Sequence, residues 1–342
     1  MKLVAVPIAL SMILAGATAA LADRLDEVKA RGTLICGTPN GAPGFGYQNP
    51  RTGELEGIEI DLCRAVAAGV LGDPSKVTFT VVTDKSRFEI ITTGQADIVF
   101  AHTTIVPVRE AAIGIDFVPV TYYDGSGFMV KSAAGISSVA DLDGAALCTT
   151  QGSSTEVSLA NLIAARGFST STSILTFQDL QTMFNAIASD RCDAMFTDRS
   201  TMAAWRANSP TPTDFTILPE TIDKSPQAGF VKEGETRWRD AVSYIIYGLF
   251  QAEEYGVTKD NVAEMKGGDN PDIKKFLGEP GDFGDIFGLP GDFMAKVIGS
   301  VGNYAEIYDR NLGPSTPFAL ERKGSVNANW KDGGLHFSPP WL

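Results

Sequence analysis

Arg109 stands shortly after a pair of hydroxyls, Thr103 and Thr104. The guanidinium fork of arginine pairs with a carboxylate through two parallel hydrogen bonds, and neighbouring hydroxyls supply further donors. A surface ion pair with Glu110 or Asp116 would explain Arg109 equally simply. A second group, Thr150-Gln-Gly-Ser153-Ser154-Thr155-Glu156, joins a glycine turn to a capping box of Ser153 and Glu156. Helix starts expose N–H groups and the positive end of a dipole, so an anion fits there, although capping alone needs no ligand. Asp198 ends an apolar run, where a carboxylate either holds an ammonium or caps a helix starting near Ser200. Arg87 adds a second positive charge suited to an acidic side chain, unless it pairs with Asp84 in solvent. His102 ends another apolar run and is a candidate donor, with a satisfied structural histidine as the alternative. Cations and hydroxyls for a carboxylate, with an aspartate for an ammonium, describe a zwitterion. The chemistry points to a free amino acid.

Positioning these groups requires two similar units. Residues 88–100 and 184–196 repeat one pattern at an offset of 96: Phe88 and Ile91, or Phe184 and Ile187, at helical spacing, then a short apolar run. The runs, Ile98 to Ala101 and Ala194 to Phe196, read as buried strands, and His102 and Asp198 occupy equivalent places after them. Ligands collect beyond the carboxyl ends of strands in open α/β sheets, so two matched units predict two lobes around one site. Further strands are expected at 34–37, 77–82, 145–149 and 173–177, with helices over 23–31, from Asp61, from Ser153, from Glu235 and over 293–311. Asp61 is the expected N-cap of its helix. Residues 38–47 read as a Gly/Pro-rich loop that is neither a dinucleotide fingerprint nor a phosphate loop. Extended stretches at 117–131 and from Pro226 read as two crossings between lobes, and such hinges allow closure around a ligand.

Composition narrows the setting. Lys2, the apolar run Leu3 to Leu14 and Ala20-Leu21-Ala22 have a signal-peptide layout, so residues 1–22 are excluded from the fold and export to the periplasm is expected. The run is short for a membrane anchor, and no cysteine follows it for lipid attachment. A net charge of −13 argues against nucleic acid or anionic lipid as partner. Four cysteines, Cys36, Cys63, Cys148 and Cys192, allow three pairings. Cys36–Cys63 with Cys148–Cys192 keeps each bond within one lobe and is the pairing expected. Without a CxxC, and with its two histidines at 102 and 336, the chain is expected to hold no metal and no cofactor. GxSxG, HExxH and Walker motifs are absent, which leaves binding as the stronger reading.

The whole mature chain resembles the periplasmic amino-acid-binding proteins of ABC transporters, solute-binding protein family 3, and within them the general L-amino-acid branch. The resemblance rests on Arg64-Ala-Val-Ala-Ala, Ser86-Arg-Phe, Thr121-Tyr-Tyr-Asp-Gly-Ser-Gly-Phe-Met-Val, Asp269-Asn-Pro, Gly281-Asp-Phe-Gly and Val301-Gly-Asn-Tyr. It implies an α/β, bilobed, type II periplasmic-binding-protein fold with a two-strand hinge. Lobe 1 is expected to comprise residues 23–128 with 227–342, and lobe 2 residues 129–226. By the same resemblance Arg109, Thr104, Ser153 and Ser154 hold an α-carboxylate and Asp198 holds the α-ammonium; Thr150, in the loop before Ser153, is a further ligand-binding candidate. Arg87 matches the arginine that reads an acidic side chain, and the disulfides fall as paired above. The branch usually carries Asn-Thr-Thr-Trp-Thr where this chain has His102-Thr-Thr-Ile105-Val106, a change that bears on side-chain preference.

The expected function is a monomeric binding protein that captures glutamate, aspartate, glutamine or asparagine and delivers it to inner-membrane permease subunits. The alternatives are a dehydratase-like enzyme on the same fold, using Glu56, Asp84 or His102 as acid or base, and a ligand-sensing domain.

Overall fold

The computed structural model describes residues 23–341, so the expected signal peptide lies outside the described residues. Two five-stranded sheets carry the fold. The first runs Val77–Val81, Leu34–Thr38, Ile98–Val99, Ser225–Lys232, Ile115–Asp124, and the second Ser173–Phe177, Ala146–Thr150, Ala194–Asp198, Ser126–Lys131, Phe215–Ile217. In each, three parallel strands are followed by a fourth that is antiparallel to both of its neighbours, so that the fifth runs with the first three. The chain leaves the first sheet for the second at Gly125 and returns between Ile217 and Ser225. This is the bilobed α/β architecture expected.

Apolar residues cover both faces of each sheet, which suits strands that read as continuous hydrophobic runs. Val82, Ile91, Val99 and Phe230 pack on one face of the first sheet. A larger core on its other face joins Leu62, Val66, Trp238, Ile245, Leu249 and Val297. The second sheet lies between clusters around Met183, Ile187 and Trp205 on one side and Leu142, Leu159 and Phe196 on the other.

The 96-residue repeat is preserved down to single hydrogen bonds. Helices Arg87–Thr92 and Leu180–Ala188 each give way to a left-handed residue, Gly94 at φ 74° and Asp190 at φ 60°. Asp97 then accepts from the main-chain N–H of Ile35 at 2.7 Å, and Asp193 accepts from that of Ala146 at 2.7 Å. Each aspartate also donates its own N–H to the same partner's carbonyl, at 2.9 and 2.8 Å. These clasps hold the strand that ends each unit, Ile98–Val99 or Ala194–Asp198, beside Leu34–Thr38 or Ala146–Thr150.

Three local expectations change. Asp61 is not an N-cap: the helix is Ile58–Leu71, entered through Gly57 at φ 127°, where a Cβ would lie 2.0 Å from the carbonyl oxygen of Phe45. Asp61 sits in the first turn and accepts from Arg64, Arg310 and Asn311. The helix expected over 293–311 is two, Phe293–Val301 and Tyr304–Asn311, broken at Gly302, with Asn303 and Glu306 forming a capping box. The glycine-rich loop opens a small antiparallel sheet of Gly41–Ala42, Gly46–Gln48 and Leu55–Glu56. Disulfides join Cys36 to Cys63 and Cys148 to Cys192, as expected, with Cα–Cα distances of 6.1 and 6.0 Å. Among the described residues no helix is long and apolar enough to cross a membrane.

Candidate ligand site between the two sheets

The strand ends of both sheets converge on a cavity of about 270 Å³. Arg87 and His102 line it from the first unit, and Thr150, Ser153, Ser154 and Asp198 from the second. Six of the eight side chains singled out in the sequence therefore face one space.

Arg87 is buried, not solvated. Its Nη1 donates to the carbonyl of Ala101 at 2.6 Å and lies 2.7 Å from Asp84 Oδ1. Asp84, three residues earlier, thus does pair with Arg87, but inside the cavity wall. Its other oxygen accepts from Thr150 Oγ1 of the second unit at 2.7 Å. Close by, a Cβ on Gly152 would meet the main chain of Lys85 at 3.3 Å, so the two sides touch through backbone. A further bond runs from Ser154 Oγ to Thr104 Oγ1 at 3.0 Å.

Thr104 and Arg109 lie behind that contact and do not line the cavity. Thr104 Oγ1 also shares a hydrogen with Ser225 Oγ at 2.8 Å. Arg109 is buried, donates to the carbonyl of Thr104 at 2.6 Å and packs over the Phe88 ring, 5.2 Å from its centroid. It makes no surface pair with Glu110 or Asp116. Burial, and secondarily the neighbouring Arg87, lowers its pKa to about 9, against the opposing pull of Asp84 and Asp198.

The helix Ser154–Arg166 starts at the cavity edge. Ser153 caps it by accepting from the Glu156 N–H at 3.1 Å, while Glu156 accepts from Gly152 rather than from Ser153. Asp198 precedes helix Arg199–Asn208 without capping it. Its Oδ2 accepts from Gln227 Nε2 at 3.0 Å, and its buried Oδ1 has no partner. Burial, with the nearby Asp124 carboxylate second, pushes the Asp198 pKa well above the usual carboxylate range.

His102 adopts φ 46°, a left-handed conformation in which histidine, like asparagine, is enriched. Its N–H donates to Glu59 Oε1 at 2.6 Å, and its Nδ1 lies 3.4 Å from Glu59 Oε2. The ring packs on Phe45 with centroids 4.4 Å apart. Glu59 and Gln227 carry site roles that the sequence reading did not assign, and Asp84, read there as a solvent partner of Arg87 or a candidate acid or base, instead joins Arg87 to Thr150. The i,i+3 spacing to Arg87 signalled Asp84, whereas Glu59 and Gln227 reach the site only through tertiary structure.

A family model for bacterial extracellular solute-binding proteins, family 3, matches residues 34–261. Over 341 residues the chain is 40% identical to the general L-amino acid-binding periplasmic protein AapJ of Rhizobium johnstonii, covering 99% of this chain and 98% of that one. It is 41% identical over 336 residues to the glutamate/glutamine/aspartate/asparagine-binding protein BztA of Rhodobacter capsulatus, covering 98% and 97%. An ABC transporter periplasmic binding protein from Brucella ovis, solved with glutathione bound, superposes with a TM-score of 0.89 at 41% identity over 93% of this chain and 99% of that one. Two α/β lobes around a polar cavity, and full-length relatives that are periplasmic amino-acid-binding proteins, lead to one conclusion: the chain belongs to the bacterial extracellular solute-binding proteins, family 3.

Proposed function

We propose that the protein captures a polar L-amino acid between its two lobes and hands it to the permease subunits of an ABC transporter, with glutamate, aspartate, glutamine and asparagine as the favoured ligands. The observation that carries this reading is Asp198, a buried carboxylate lining the cavity with one oxygen unpartnered. An α-ammonium supplies both the charge and the hydrogen bond that this oxygen lacks. The start of helix Ser154–Arg166 and the arginines opposite suit the α-carboxylate. In this reading Thr104 and Arg109 join the ligand shell by turning from the contacts they make here, Thr104 with Ser154 and Arg109 with the Thr104 carbonyl. The lobes, residues 23–128 with 227–342 and residues 129–226, close by bending near the sheet crossings, and the closed monomer is the form the permease meets.

The specificity printed for BztA supports acidic amino acids and their amides, and Arg87 in the cavity wall suits a polar side chain. A dehydratase-like role is less well supported. Glu56 is exposed and bonded to Asn49, and Asp84 is held by Arg87 and Thr150.

The glutathione in the Brucella ovis relative favours a second reading. Glutathione presents a free α-ammonium and α-carboxylate at its γ-glutamyl end, so the same anchors would hold it. A thermal-shift screen of the purified protein against the common L-amino acids and glutathione tests both, because a ligand specific to the native state raises the melting temperature. Shifts with glutamate, aspartate or their amides are expected. A shift with glutathione alone would replace the first reading by the second, and no shift with any of them would overturn both.

A further inference from the structure

We propose that Glu59 is a positioning residue that fixes the tautomer of His102, so that a neutral imidazole presents Nε2–H to a side-chain oxygen of the bound amino acid. The inference rests on the amino-acid-binding reading and deepens it, because it names what the cavity reads beyond the zwitterion.

His102 lines the cavity, and its Nε2 is buried without a hydrogen-bond partner. The other ring nitrogen, Nδ1, lies 3.4 Å from Glu59 Oε2, an oxygen that is itself buried without a hydrogen-bond partner, so a proton between the two would satisfy both. Glu59 cannot turn away, since its Oε1 accepts the His102 main-chain N–H at 2.6 Å. The imidazole is equally fixed, with Phe45 against it and Tyr122 edge-on to Phe45 at 5.2 Å. Two states of such a pair, differing by one proton, place a hydrogen between Oε2 and Nδ1. If Glu59 is a carboxylate, Nδ1–H donates to it and Nε2 is a bare acceptor. If Glu59 is a carboxylic acid, Oε2–H donates to Nδ1 and the ring hydrogen stands on Nε2.

Burial selects the second arrangement, which places no charge on either group. The charged groups that bear on the pair are Arg87 and Asp84, which neutralise each other at 2.7 Å. Burial holds the Glu59 carboxyl up at about 8 and the His102 imidazole down at about 3. At neutral pH the cavity therefore offers a neutral N–H donor beside the Arg87 cation. A side-chain carboxylate or amide carbonyl satisfies it, and an aliphatic side chain leaves it buried and unpaired. Loss of the Glu59 proton above pH 8 moves the ring hydrogen to Nδ1 and turns Nε2 into an acceptor. An amide side chain adapts by rotating its NH₂ toward Nε2, whereas a carboxylate has no donor to offer.

The test is ¹⁵N NMR of the ligand-free protein, with His102→Asn used to tell the His102 ring signals from those of His336. At pH 7 the account expects His102 protonated on Nε2 and bare on Nδ1. A proton on Nδ1 with bare Nε2, or an imidazolium, overturns it. Titration calorimetry with glutamate and glutamine adds a functional readout. From pH 7 to pH 9 the affinity for glutamate should fall at least about tenfold relative to glutamine, the loss of one hydrogen bond to a charged group. Glu59→Gln, whose amide NH₂ donates to Nδ1 at every pH, should abolish that relative fall. The same fall in Glu59→Gln, or none in the wild type, overturns the proposal. If Glu59→Gln does not fold, the NMR result and the wild-type affinity ratio decide it. Failure of every amino acid to bind would instead sink the transport reading, while the NMR experiment would still report the tautomer.

Discussion

Thr150 and Asp84 come from opposite lobes and meet through a 2.7 Å hydrogen bond, while the second oxygen of Asp84 holds Arg87 at 2.7 Å. The bond forms only when the lobes are together. In the proposed closure it belongs to the closed state and adds to the affinity of any ligand bound there, whatever its side chain. Thr150→Val keeps the shape and removes the donor. A hydrogen bond to a charged group contributes about 1.5–3 kcal/mol, so affinity should drop roughly tenfold to a hundredfold, and equally for glutamate and glutamine, in calorimetry. Unchanged affinity, or a loss confined to one ligand, would show that the contact does not support closure.

Asp198→Asn should separate stability from function. In the absence of ligand the Asp198 carboxyl is buried with Oδ1 unpartnered and Asp124 nearby, an arrangement that opposes folding. The neutral amide should leave the ligand-free melting temperature unchanged or raise it. Affinity should fall by a hundredfold or more, on the order of 3 kcal/mol, through loss of the ammonium partner. A variant that melts earlier yet binds normally would reassign Asp198 to a structural role.

Buried carboxyls and imidazoles make stability depend on pH, Glu59, His102 and His336 among them. Glu59 is raised from 4.5 to about 8, so between those values the folded chain holds a proton that the unfolded chain has lost, and stability falls as pH rises. His102 and His336 are both lowered from 6.5 to about 3, so their contribution is complete above 6.5 and is lost as pH drops toward 3. From pH 6.5 to 8 Glu59 acts alone among these three and should cost on the order of 2 kcal/mol. In urea unfolding of the ligand-free protein, Glu59→Gln should decline by about that much less over the same interval. Parallel slopes in both proteins would mean that Glu59 is already ionised at pH 6.5.

Each disulfide closes a loop within one lobe, spanning 27 residues for Cys36–Cys63 and 44 for Cys148–Cys192. Chain entropy predicts stabilisation of about 3.5 and 4 kcal/mol respectively. Replacing either pair by alanines should lower the unfolding free energy by that order while leaving ligand stoichiometry at one in the surviving folded protein. If reduction of the wild type leaves thermal unfolding unchanged, the bonds are not contributing in solution.

Much of the architecture was legible because its signals are local. The apolar runs at 34–37, 77–82 and 173–177 became strands within a residue, since short continuous hydrophobic segments suit sheets covered on both faces. The repeat carried deeper information, because residues with equivalent places in it, Asp97 and Asp193, make the same pair of main-chain bonds. Asp61 misled because a carboxylate early in a helix looks like a cap, whereas the entry through Gly57 depends on the close approach of Phe45. The break at Gly302 was signalled by the following Asn303 and Glu306, masked by the apolar periodicity on either side.

The candidate site was readable residue by residue but not in its contacts. Asp198 carries its chemistry on its side chain beyond an apolar run and Arg87 stands just before the first repeat unit, so residue type and position singled them out. Glu59 and His102, 43 positions apart, meet only because the helix Ile58–Leu71 starts beneath the end of strand Ile98–Val99. Asp84 and Thr150 meet only when both sheets are assembled and brought together.

In the proposed complex the cavity grips the two charges of an amino acid, with Asp198 taking the ammonium. Titration calorimetry comparing L-glutamate with its Nα-acetyl and α-carboxamide derivatives tests it most directly. The account predicts one-site binding of glutamate and a loss of at least about a hundredfold for each derivative, since each leaves a buried charged group without its partner. Binding of the acetylated or amidated compound as tightly as glutamate itself would contradict it.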